Sequence, residues 1–108
     1  MKLIIAIVQQ DDGNKALSQL NAAGYSVTKL ATTGGFLRMG NMTLMIGAEE
    51  NEIDAIIEIL GETCSSRTRF VPSSVSVAMA EAGSSYPVKV NVGGATVFVV
   101  DVDRFEKL

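Results

Sequence analysis

Leu3–Val8 is an unbroken apolar run rich in β-branched side chains, the pattern of a strand covered on both faces. Asp11 and Asp12 follow as capping carboxylates for a helix over about 12–23, whose apolar stripe is Ala16, Leu17, Leu20 and Ala23. Gly24 stands at the C′ position that ends such a helix. Tyr25, Val27 and Lys29 then alternate with Ser26, Thr28 and Leu30, which predicts a second strand ending near Ala31. A loop with three glycines, ATTGGFLRMGN, precedes a third strand, Met42–Gly47. A second helix over about 51–63 follows, with Ile53, Ile56, Ile57 and Leu60 on one face and Glu49, Glu50 and Glu52 at its N-terminus.

From 65 to 86 the chain turns rich in Ser, Ala and Gly and reads as one long loop. Val88–Val92 and Ala95–Val100 flank Gly93-Gly94, a two-residue hairpin signal, and the uniformly apolar second member is expected inside the sheet. The order β-α-β-β-α-β with an extra C-terminal hairpin strand is an α+β, ferredoxin-like plan in a single domain, 1–108. Its antiparallel sheet carries two helices on one face. The opposite face is apolar too, and one chain of 108 residues has no second layer left for it. Face-to-face oligomerisation is the expected cover.

Composition removes several classes of chemistry. The chain has 0 His and 1 Cys, so a His-based triad, an imidazole base, an internal disulfide and a CxxC site are all absent. A net charge of −3 argues against DNA, RNA or anionic membranes held by a basic field. The opening MKLIIAIV is too short for a signal-peptide core or a membrane span, so a plain cytoplasmic start is expected, with no membrane insertion. Lone Cys64 lacks a base and reads as a packed thiol. Asp101 and Asp103 are too few to cage a hard metal.

One loop concentrates ligand-binding chemistry. Gly34 and Gly35 let backbone amides converge as an anion nest, Thr32 and Thr33 add hydroxyls, and Arg38 can fork onto phosphate. Phe36 offers a stacking face and Asn41 an amide that matches an adenine edge. The same residues also read as a plain turn with Phe36 and Leu37 in the core.

The strings MKLIIAIVQ, TKLATTGGFLRMGN and VGGATVFVV, in that order, resemble the cyclic-di-AMP receptor family of PII-like signalling proteins. The resemblance spans nearly the whole chain and is weakest over 65–86. It implies a PII-type fold, a homotrimer holding cyclic-di-AMP between subunits, no enzymatic activity, no cofactor, and a signal passed by loop rearrangement to a downstream protein. Family ligand contacts carry over to Thr28, Gly35, Phe36, Leu37, Asn41 and Gly47 of one subunit, with Phe98 completing the cleft. In that picture Asn41 and the Gly47 backbone read one adenine edge. Two positions depart from the family: Ser26 replaces an arginine clamp, and the chain ends Phe105-Glu106-Lys107-Leu108 instead of FHQF. The alternative reading is a PII-like interaction module with weakened or altered ligand specificity.

Overall fold

The computed structural model describes residues 1–30, 40–71 and 88–108. Strand β1 (Lys2–Gln9) runs directly into helix α1 (Gln10–Ala22), followed by β2 (Val27–Leu30) and β3 (Asn41–Ala48). A 3₁₀ turn at Glu50–Glu52 leads into α2 (Ile53–Cys64). Then come β4 (Arg67–Val71), β5 (Val88–Val92) and β6 (Ala95–Asp101). Four strands form an antiparallel sheet in the order β2-β3-β1-β6, the ferredoxin-like order with β6 as its last strand. The fold is α+β, with two helices on an antiparallel sheet.

Period-2 alternation decides which side chains meet the helices. Ile4, Ala6 and Val8 of β1 and Met42, Leu44, Ile46 and Ala48 of β3 point to one face and are buried. Ala16 and Leu20 of α1 and Ile56, Leu60 and Cys64 of α2 close that core. Leu17 and Ile53 are only half-buried and Ile57 is exposed, so the helix stripes are narrower than the sequence pattern. α1 ends in a Schellman arrangement. Tyr25 N–H donates to the Leu20 carbonyl and Gly24 N–H to that of Asn21, with Gly24 at φ 93°.

Four expectations are revised. α1 starts at Gln10, so Asp11 and Asp12 sit in its first turn instead of capping it, and the Gln10 N–H is met by the Gly40 carbonyl at 2.7 Å. Residues 67–71 are a strand inside the stretch read as loop. β5 pairs with β4, not with β6, in a separate two-stranded ribbon, so Gly93-Gly94 joins two sheets and closes no hairpin. β6 pairs with β1 alone and is an edge strand. Its apolar residues Phe98, Val99 and Val100 are consequently exposed.

Candidate functional site

The sheet face turned away from the helices carries Leu3, Ile5 and Ile7 of β1 with Thr43, Met45 and Gly47 of β3. Register places the sequence-derived site residues on it. Thr28, Met45, Ile5 and Phe98 form one cross-strand row, edge to edge. Gly47 and Val100 flank Leu3 in the next row. Asn41 lies opposite Gln9 at the far end of β3. Thr28 is exposed and Phe98 is 50 % exposed. Ser26, just before β2, and Lys107 are exposed as well. Gly35, Phe36 and Leu37, with Thr32, Thr33 and Arg38, lie outside the described residues.

Strand geometry separates these groups within one protomer. Three inter-strand steps put Thr28 and Phe98 roughly 14 Å apart. Six residues of unbroken strand put Asn41 and Gly47 ~20 Å apart. Asn41 and Gly47 of one subunit therefore cannot read the same adenine edge, which corrects the sequence-based picture. They mark opposite ends of the open face.

Asn41 is bordered by two clefts. One, of about 500 Å³, is lined by Gln9, Asn41, Gly93, Gly94, Ala95 and Thr96 among others. The other, of about 320 Å³, lies against Gln9, Gln10, Asp11, Gly40 and Asn41. The larger falls in the range of small-molecule sites, ~300–1,000 Å³. Two side-chain amides and a hydroxyl give it neutral donors and acceptors, the kind of group that matches a base edge. Gln9, Gly93, Gly94 and Thr96 were not legible as lining residues from spacing alone. They meet Asn41 only because β1 pairs with both β3 and β6.

Beneath Gly93-Gly94 lies a charged junction. Asp12 is 2 % exposed, and Arg67 grips it as a fork: Nη2 donates to Oδ1 at 3.0 Å and Nη1 to Oδ2 at 3.1 Å. Nη1 also donates to the Ser65 carbonyl at 3.2 Å. Hydrogen bonding to Asp12, and then its charge, raises the Arg67 pKa above the ordinary value. The Gly94 N–H donates to the Cys64 carbonyl at 2.6 Å and so satisfies an open group at the end of α2.

The Cys64 thiol is buried and donates toward the Asp12 carbonyl at 3.6 Å. Desolvation raises its pKa. The thiol should therefore react with an aromatic disulfide reagent only upon unfolding, and rapid labelling of the native protein would contradict this. The pH effect has a definite sign. The folded state holds the thiol proton more tightly, so the contribution is complete below the unfolded pKa, ~8.5, and declines above it. Denaturant midpoints measured from pH 7 to 10 should fall more steeply for the native sequence than for Cys64→Ala.

Asp101 is ion-paired with Lys2, whose hydrogen bond and charge hold its carboxyl below the usual range. Among the described residues no three His, Cys, Asp or Glu side chains converge as metal ligands, and no helix is long and apolar enough to cross a membrane.

Comparison with known proteins supplies the family. A crystal structure of a functionally unknown protein from Pediococcus pentosaceus ATCC 25745 is similar at 44 % sequence identity and a TM-score of 0.76, covering 99 % of this chain and 96 % of that one. A family model described as cyclic-di-AMP receptor matches residues 1–108. The chain thus belongs to the cyclic-di-AMP receptor family.

Proposed function

We propose that this protein is a non-enzymatic cytoplasmic receptor that binds cyclic-di-AMP between subunits of a homotrimer and reports occupancy to a downstream protein by loop rearrangement. Family membership over the whole chain is the observation that carries the ligand. Geometry supports the inter-subunit location. Thr28 and Phe98 stand on opposite edges of an apolar face that no helix or strand among the described residues covers, and a neighbouring copy brings one protomer's edge to another's. Thr28, the amides of Gly35–Leu37, Asn41, Gly47 and Phe98 are the contacts proposed for the ligand. In a chain of net charge −3, phosphate would be held by local dipoles and a few placed cations.

Isothermal titration with cyclic-di-AMP tests the reading. Binding with a matching rise in melting temperature is expected. No heat at millimolar ligand, with folded assembled protein, would overturn it. Ser26→Arg supplies a charge-assisted bond worth ~1.5–3 kcal/mol and should tighten binding roughly tenfold to a hundredfold. Thr28→Val keeps the shape, removes a hydroxyl donor and should weaken it. Ser26 is also what favours the second reading, an interaction module of altered ligand specificity, in which binding would appear only in Ser26→Arg.

A further inference from the structure

The β4–β5 ribbon is a two-stranded unit outside the main sheet, and such a ribbon is marginal on its own. Something at its base must hold its direction. Arg67 is the first residue of β4, and Val92, its register partner, ends β5 just before Gly93-Gly94. Both ribbon strands thus meet the body at one place.

That place is tightly built. Arg67 forks onto Asp12 in the first turn of α1 while touching the Ser65 carbonyl at the end of α2. Gly93 passes so close that an added Cβ would stand 2.5 Å from Arg67 Nη1 and 2.6 Å from the Ser65 oxygen. On its other side the same glycine pair walls the 500 Å³ cleft at Asn41. One dipeptide therefore contacts the cleft and the latch at once.

We propose that Asp12 and Arg67 are positioning residues that latch the β4–β5 ribbon to α1 and link its orientation to occupancy of the Asn41 cleft through Gly93-Gly94. The linkage to occupancy rests on the proposal that Asn41, which borders that cleft, contacts cyclic-di-AMP; the latch itself does not. Arg67 suits the role because a planar fork fixes orientation as well as distance, which a lysine cannot do.

Hydrogen exchange on the full chain separates the two parts. Without ligand, Arg67→Ala should speed exchange of amides in β4 and β5 by about tenfold while β1 and β3 keep their protection. Arg67→Lys should restore only part of it. Equal protection of the ribbon in native and Arg67→Ala protein would overturn the latch. With saturating cyclic-di-AMP, native protein should show altered ribbon exchange, and Arg67→Ala should bind within about threefold yet lose that response. Binding that leaves ribbon exchange unchanged in the native protein would overturn the linkage. Absence of binding would overturn it together with the reading it rests on, and the ligand-free comparison would still decide the latch.

Discussion

Ile5→Lys is expected to leave the protomer folded and abolish the proposed homotrimer. Ile5 occupies the middle of the sheet face turned away from the helices, between Met45 and Phe98, and is half-buried. In a free protomer a lysine there lays its stem along the apolar surface and keeps its ammonium in water. Against a second copy the same charge is stripped of water with no carboxylate in its row to pair with, at a cost of several kcal/mol per protomer. Light scattering at micromolar concentration should read 11.4 kDa for the variant and three times that for the native protein. Ile5→Val keeps the apolar surface and should keep the assembly. A variant mass equal to the native one would show that this face is not the contact. Far-UV circular dichroism separates dissociation from unfolding, and Val100→Lys, on the 42 %-exposed edge, repeats the test with less risk to the core.

Hydrophobic period carried most of the fold. Leu3–Val8 and Met42–Gly47 are strands extended by one residue at each end, legible because their apolar runs are long. β4 was missed for a nonlocal reason. RTRFV has two arginines and sits among serines, and its pairing partner lies some twenty residues away. Gly93-Gly94 misled for a related one. A glycine pair marks a sharp change of direction but does not say whether its flanking strands pair with each other. Here β1 claims β6 along Ala95–Asp101 and leaves β5 to β4.

The placement of the candidate residues on the sheet was only partly legible in the sequence. Thr28, Gly47 and Phe98 share the open face, as their strand parity requires. Their spacing could not reveal that Asn41 and Gly47 stand at opposite ends of one strand until that strand was seen to be unbroken. Asp12 read as a solvated capping acid. Its burial depends on Arg67, a partner fifty-five positions away that no local pattern announces.

Gly93→Ala should be among the most destabilising single-methyl additions the chain can receive, and Gly94→Ala a mild one. Both glycines adopt left-handed backbone, φ 78° and φ 94°, where an L side chain costs roughly 1–2 kcal/mol. They differ in space. A Cβ at 94 meets nothing nearer than Ser66 Cβ at 3.7 Å. At 93 it would stand 2.6 Å from the Ser65 carbonyl oxygen, which is main chain at the end of α2 and cannot swing aside. It would also press on Arg67 Nη1, so relief requires opening the fork on Asp12 or shifting the strand entry. Overpacking of that kind adds ~1–3 kcal/mol. At ~4–8 °C per kcal/mol for a domain near this size, Gly93→Ala should lower the melting temperature by roughly 10–40 °C. Gly94→Ala should remain within about half of that. The comparison cancels the shared backbone cost and reads the junction alone. Equal losses for the two variants would mean that the close packing of Gly93 on the Asp12–Arg67 pair contributes nothing to stability.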